Sequence, residues 1–149
     1  MKIEIDQSNK IEQTNKDSVV SFSNNIFGCV LIRAKDKREI EKVFQRTGKP
    51  KIFVYKLFAI LIFILIKEHL RKIDEIVIDK EYPGKDNLIK SFLMREIKKV
   101  RPDFLPQAII FKQIGKKSRA HFMAYGVIAN KKQPDKVVGV KTILRFLIK

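Results

Sequence analysis

The chain has 149 residues, of which 45% are hydrophobic and 32% charged, so we expect a single domain over residues 1–149 with a real core rather than a disordered protein. The net charge of +16 is large for this length, and residues 101–149 hold 11 Lys and Arg side chains against two Asp. The one cysteine, Cys29, excludes an internal disulfide and a cysteine-based zinc site.

The first third of the chain predicts three β-strands joined by short connections. The stretch KIEID alternates and predicts a strand at Lys2–Asp6. β-Branched and aromatic residues predict two more strands, at Ser18–Ser23 and Ile26–Ala34, the last of which contains Cys29 as a buried small hydrophobe. Strands this close in sequence indicate an antiparallel meander.

Helical spacing then replaces the alternation. Ile40, Val43 and Phe44 share one face of a helix that stops at Gly48. The unbroken apolar run Leu57–Ile66 predicts a second helix that is buried on nearly all sides. A bilayer-spanning helix needs about 20 residues, so membrane insertion is the minor alternative.

The second half of the chain alternates strands and helices. The predicted elements are a buried strand at Asp74–Asp79, an amphipathic helix at Asp86–Val100 with Asp86 as N-cap, a strand at Gln107–Ile114, a helix with Ser118 as N-cap, and a C-terminal helix that opens at Pro134. The predicted fold class is therefore α/β, with a mixed five-stranded sheet flanked by helices: three antiparallel strands, then alternating helix and strand.

Acidic residues at strand ends are the candidates for chemistry. Asp6 closes the first predicted strand, and Asp79 closes the fourth, with Glu81 two residues later on the same face. If those strands are neighbours, Asp6 and Asp79 come within reach of one ion, and Mg²⁺ or Mn²⁺ would relieve their mutual repulsion. Such a site supports two-metal hydrolysis of phosphodiester bonds. The alternative is that these carboxylates end strands simply because loops face water.

The segment IGKKSRAHFMAYGV supplies a second kind of candidate group. His121 falls in the first turn of a predicted helix, and three interpretations stay open: a fourth metal ligand, a residue that positions a phosphate, or a partly buried histidine at a helix start. Six basic residues are predicted to contact a phosphate backbone: Lys116, Lys117, Arg119, Lys136, Lys141 and Arg145.

The positive charge favours a polyanionic partner, with nucleic acid (DNA or RNA) first and an anionic membrane surface next. Solubility and heat adaptation are the alternative explanation, since Lys- and Ile-rich composition is common in heat-adapted proteins. The N-terminus MKIEIDQSNK has no apolar signal core, so the expected location is the cytoplasm.

The predicted element order resembles the ribonuclease H-like superfamily, which includes ribonucleases H, Holliday-junction resolvases, transposases and Argonaute nuclease domains. Members carry one catalytic Asp on a central first strand, which matches Asp6 in IEIDQS, and a second at the end of the fourth strand, which matches Asp79 in IVIDKE. Their last catalytic position is an Asp, Glu or His in a late helix, and His121 after GKKSRA suits that place.

One position departs from that pattern. Ribonucleases H proper place a Glu early in the first long helix, but KIFVYKLFAILIF has no acid there and Glu68 comes only at the far end. Either Glu81 supplies the missing carboxylate or the set is incomplete. The resemblance implies a metal-dependent nuclease. The alternatives are a non-catalytic nucleic-acid-binding module on the same fold and an assembly protein, such as a homodimer, that uses the apolar helix 57–66.

Overall fold

A computed structural model describes residues 1–23, 26–114, 119–129 and 133–148. Six strands of these residues form one mixed sheet: β1 (Lys2–Ser8), β2 (Ser18–Ser23), β3 (Phe27–Ile32), β4 (Glu75–Asp79), β5 (Ile109–Lys112) and β6 (Lys136–Val138). Their spatial order is β5-β4-β1-β2-β3-β6. Only β2 runs antiparallel to its neighbours, so the carboxyl ends of the other five strands point toward the same side.

Five α-helices are described, and they divide between the two faces of the sheet. Their bounds are α1 (Ala34–Arg46), α2 (Phe53–Ile66), α3 (Asp86–Val100), α4 (Arg119–Ile128) and α5 (Val140–Ile148), with short 3₁₀ segments at Pro50–Ile52, Lys67–Lys72 and Pro106–Ala108. On one face α4 packs across β1, β2 and β3, and on the other α2 packs on β2 and β3 and contacts α1, α3 and α5. The protein is therefore an α/β fold with helices on both faces of a mixed sheet.

Side-chain alternation along the strands separates two apolar cores. Val20 belongs to the large core around α2, whereas its neighbour Val19 packs with the α4 residues Ala124 and Val127. Every residue from Leu57 to Ile66 is at most 5% exposed, which confirms the predicted burial of this helix inside the domain. The apolar helix 57–66 therefore has no exposed face for a partner. Among the described residues, no helix has both the length and the apolar character needed to cross a membrane.

The C-terminal segment differs from its prediction. Instead of one helix from Pro134, the chain first forms β6 and begins α5 only at Val140. The N–H of Cys29 donates to Asp135 Oδ2 at 2.6 Å, and the N–H of Asp135 donates to the Cys29 carbonyl, so this segment pairs with the open edge of β3. The prediction of five strands is thus wrong, because this edge pairing adds a sixth.

Smaller differences concern the ends of elements. Ala34 begins α1 rather than ending β3, and its N–H donates to Asp17 Oδ1 at 2.8 Å. Asp86 is the first residue of α3 rather than its N-cap, and its carboxylate lies 3.7 Å from Lys80 Nζ. The predicted N-cap Ser118 lies outside the described residues.

Candidate metal centre

Asp6 and Asp79 lie side by side on the adjacent parallel strands β1 and β4. Ile5 pairs with Ile78, so the residues that follow them are neighbours in the register and point to the same face. Asp79 ends β4 as predicted. Asp6 does not end β1, because β1 keeps pairing with β2 as far as Ser8. The predicted adjacency of the two strands is confirmed, and it places both carboxylates near the carboxyl ends of the central strands.

Glu81 completes a cluster with these two aspartates. One carboxylate oxygen from each of Asp6, Asp79 and Glu81 lies within 4.8 Å of the others. In the part of the chain that the structure describes, no other three His, Cys, Asp or Glu side chains converge in this way. The cluster opens into a cavity of about 590 Å³, called the acidic cavity below, whose wall also includes Gln7 and His121.

Burial and mutual repulsion shift the protonation of this cluster. Burial raises the pKa of Asp6 to about 6, and the negative charge of Asp79 adds to the shift, although the Gln7 N–H and His121 oppose it. Burial also raises the pKa of Glu81 to about 7, helped by a hydrogen bond to Asp79 and by the charges of both aspartates. Both raised pKa values mean that the site disfavours the ionised carboxylates, and a bound cation would stabilise that ionised state.

Backbone donors hold both aspartates in place. The N–H of Gln7 donates to Asp6 Oδ1 at 2.8 Å, and the N–H of Ile114 donates to Asp79 Oδ1 at 2.8 Å. Glu81 is held by side chains instead, through its hydrogen bond with Asp79 and through Lys10, whose Nζ lies 3.7 Å from Glu81 Oε2. Backbone donors therefore orient the two aspartates, and side chains orient Glu81.

His121 reaches the cluster through Asp6. Its Nδ1 lies 3.1 Å from Asp6 Oδ2, but it is not one of the three residues whose donor atoms converge within 4.8 Å. Helix α4 is fixed above β2 beside this contact, because the Ser21 hydroxyl donates to the carbonyl of Ala120. His121 is thus placed to orient the Asp6 carboxylate, and its assignment as a direct ligand stays a prediction.

The six predicted phosphate-contacting residues do not surround the acidic cavity as one group. Lys116 and Lys117 lie outside the described residues, and the side chain of Arg119 is likewise not described. Lys136, on β6, is separated from β1 by two strands, and its Nζ donates to Glu68 at 3.0 Å. Lys141 and Arg145 lie on α5, on the face opposite α4. Phosphate contacts by these residues stay predictions.

A tyrosine network beside the cluster was missed by sequence reasoning. The Tyr82 hydroxyl accepts from Gln7 Nε2 at 3.0 Å and donates to Glu12 Oε1 at 3.1 Å, and its side chain is buried. It thereby ties the loop after β1 to the segment that carries Glu81. Its position directly after Glu81 is the only signal in the sequence, since its partners lie 70 to 75 residues away.

Comparisons of the chain with protein-family models, with curated proteins and with solved structures find no match. Function must therefore be inferred from the side chains and their geometry.

Proposed function

We propose that this protein is a metal-dependent nuclease with a ribonuclease H-like domain, which hydrolyses phosphodiester bonds of nucleic acid in the cytoplasm. The observation that carries the proposal is the convergence of Asp6, Asp79 and Glu81 within 4.8 Å. The place of β1 inside the sheet, with β4 and Asp79 beside it, agrees with what the resemblance implies. The extra strand β6 lies at the far edge and leaves this arrangement unchanged.

The donor set fits Mg²⁺ or Mn²⁺. These ions prefer oxygen ligands, and three carboxylates in one buried cluster supply them. Burial, together with the neighbouring carboxylates, raises the pKa values of Asp6 and Glu81, and a divalent ion would oppose this by favouring the ionised carboxylates. When bound, such ions would activate water and stabilise the charge that develops on the phosphate oxygens.

The chain's own residues would divide the remaining work. Asp6 and Asp79, fixed by backbone N–H donors, would set the position of the ions. His121 would hold the Asp6 carboxylate in its orientation, as outer residues do around many metal sites. Lys10, at the rim beside Glu81, would balance its charge. The net charge of +16 would attract the polyanionic substrate.

The test is cleavage of labelled single-stranded RNA and DNA, duplex, hybrid and branched substrates by purified protein with Mg²⁺, Mn²⁺ or EDTA. We expect the protein to cleave at least one substrate. This cleavage should need the metal and should be lost in Asp6→Asn. The exposed Asp103→Asn variant is the matched control. Absence of metal-dependent cleavage on every substrate would overturn the proposal.

A second function, nucleic-acid binding without catalysis, is favoured by the missing acid in the apolar helix. The first turn of α2 contains no Asp or Glu, so the carboxylate set is smaller than in ribonucleases H proper. This alternative predicts salt-dependent binding that persists in Asp6→Asn, together with no cleavage by the wild-type protein.

A further inference from the structure

A second cavity lies on the opposite face of the sheet, between α2, α3 and α5. Its volume is about 340 Å³. Its wall combines three cations, two aromatic rings and a hydroxyl: Lys67, Lys99, Arg145, Phe63, Phe146 and Thr142. This cavity, called the basic pocket below, shares no residue with the acidic cavity.

The basic pocket carries a net positive charge. Glu96 is its one acidic residue, and it is largely buried and paired with Lys99 at 3.0 Å. Lys67 and Arg145 are exposed, and no carboxylate of the described residues forms an ion pair with either. Two cations are therefore available to an anion that enters the pocket, and Lys99 lies beside them.

An aromatic floor accompanies these cations. The rings of Phe63 and Phe146 meet edge to face with centroids 5.9 Å apart. Phe63 is buried, whereas Phe146 is only partly covered and lines the pocket. Partly exposed aromatic rings beside basic side chains are the usual means of holding single-stranded nucleic acid, because bases stack on the ring while cations hold the backbone.

We propose that the basic pocket binds one nucleotide of a single strand of nucleic acid, with its base against Phe146 and its phosphate among Lys67, Lys99 and Arg145. The volume of about 340 Å³ is within the range of small-ligand cavities, which suits one nucleotide unit. Because the acidic cavity lies on the other face of the sheet, this site anchors a strand away from the cleavage centre. It does not depend on the proposed nuclease activity.

The test is fluorescence anisotropy of a labelled 12-nucleotide single strand in EDTA, which prevents cleavage. We expect Arg145→Gln and Lys67→Gln each to weaken binding roughly fivefold and to lower the slope of log affinity against log salt by about 1. Lys42→Gln is the matched control, since it removes the same charge from an exposed position on α1 outside the pocket. Equal weakening by Lys42→Gln would overturn the site.

Phe146→Leu tests the stacking part and keeps an apolar side chain against Phe63. We expect binding to weaken roughly fivefold or more, with an unchanged circular dichroism spectrum and unfolding midpoint confirming the fold. Wild-type affinity in this variant would overturn the proposed stacking. Adenosine monophosphate is the second probe, and if it binds as tightly as the oligonucleotide, the pocket belongs to a free nucleotide and the strand proposal is wrong.

Two readouts separate this proposal from the proposed nuclease activity. Metal-dependent cleavage reports on the acidic cavity, and oligonucleotide binding in EDTA by Lys67→Gln and Arg145→Gln reports on the basic pocket. If no metal-dependent cleavage is found while Arg145→Gln still weakens binding, only the nuclease activity is refuted. If cleavage is found but Lys67→Gln and Arg145→Gln bind like wild type, only the basic pocket is refuted.

Discussion

The acidic cavity and the basic pocket lie on opposite faces of one sheet and hold their charges in different ways. In the acidic cavity, Asp6 is only 3% exposed and its carboxylate is fixed by a backbone N–H. In the basic pocket, the charges of Lys67 and Arg145 lie at the ends of long side chains, and both residues are exposed. A fixed, buried cluster suits a small cation, whereas exposed cations suit a hydrated phosphate chain.

The largest expected effect comes from a substitution in the acidic cavity that leaves the basic pocket unchanged. Asp79→Asn removes one charge but keeps an oxygen that can accept the Ile114 N–H. We expect metal-dependent cleavage to fall about 1,000-fold, because several kcal/mol of transition-state stabilisation depends on the bound metal. Initial rates at saturating Mn²⁺ measure this, with Asp103→Asn as control. Wild-type cleavage by Asp79→Asn would remove this residue from the centre.

The next effect asks whether His121 acts through Asp6. We expect His121→Ala to weaken Mn²⁺ binding about 10-fold, since it loses the contact at 3.1 Å that orients the Asp6 carboxylate. His121→Gln, which can still donate to Asp6, should recover part of that affinity. Isothermal titration with Mn²⁺ measures both variants.

His69→Gln is the matched control for this comparison, because His69 lies outside the cavity, with its ring against Phe22. Unchanged Mn²⁺ affinity in His121→Ala would show that His121 does not position Asp6.

A third prediction concerns the buried lysine that supports the loop beside the acidic cavity. Lys37 is fully buried, and its Nζ donates to the Gln13 carbonyl at 2.8 Å and to Ser18 Oγ at 2.7 Å. We expect Lys37→Met to lower the free energy of unfolding by about 1–3 kcal/mol, because the buried Ser18 hydroxyl and the partly buried Gln13 carbonyl lose their charged donor. The urea midpoint measures this.

The same variant sharpens the contrast between the two cavities. The loop that Lys37 holds also carries Lys10, which contacts Glu81, so Mn²⁺ affinity should fall while oligonucleotide binding stays unchanged. The exposed Lys35→Met is the control. Equal stability of Lys37→Met and wild type would show that the loop does not depend on this lysine.

Local sequence signals were sufficient where one pattern dominated a segment. The bounds predicted for β2 and α3, Ser18–Ser23 and Asp86–Val100, are confirmed. The C-terminal prediction was wrong because the local helix signal at Pro134 was overridden by a distant interaction, the pairing of Asp135 with Cys29 at the edge of the sheet. Helix propensity describes a segment by itself and carries no information about a distant strand edge.

The same limit applies to the candidate site. Asp6 and Asp79 could be selected because the pairing of β1 with β4 brings them together, and Glu81 follows Asp79 by two residues. The contact between His121 and Asp6 joins residues 115 positions apart and depends on how α4 docks. The basic pocket is harder still to predict, because it forms only through the packing of α2, α3 and α5; Arg145 was selected for its charge alone, and Lys67 was not selected.

A fourth prediction uses proton binding to compare the metal-free and metal-bound acidic cavity. The pKa of Asp6 is raised from 3.8 to about 6, and that of Glu81 from 4.5 to about 7. Between about pH 4 and 7 the folded state therefore holds more protons than the unfolded state, so stability in EDTA should fall as the pH rises through this window. Mn²⁺ competes with these protons, so its affinity should rise up to about pH 7.

Melting temperatures at several pH values, with EDTA or with Mn²⁺, measure both trends. Glu81→Gln should flatten the decline in EDTA above pH 6, where Glu81 accounts for most of it. A melting temperature that does not decline between pH 5 and 7 in EDTA would contradict the raised pKa values of Asp6 and Glu81. Oligonucleotide binding at the basic pocket should follow salt concentration instead.

The smallest expected effect has the opposite sign from the first. Glu96 is the one acid of the basic pocket, and Glu96→Gln keeps an oxygen that can accept from Lys99 while it removes the negative charge. We expect oligonucleotide affinity in EDTA to rise about two- to fivefold, because the charge of Glu96 no longer repels a phosphate beside Lys99. Losing an acid would thus disable one cavity and strengthen the other. Weaker binding by Glu96→Gln would mean that Glu96 orients Lys99 toward the strand more than it repels the phosphate. It would contradict the expectation that loss of an acid strengthens binding at the basic pocket.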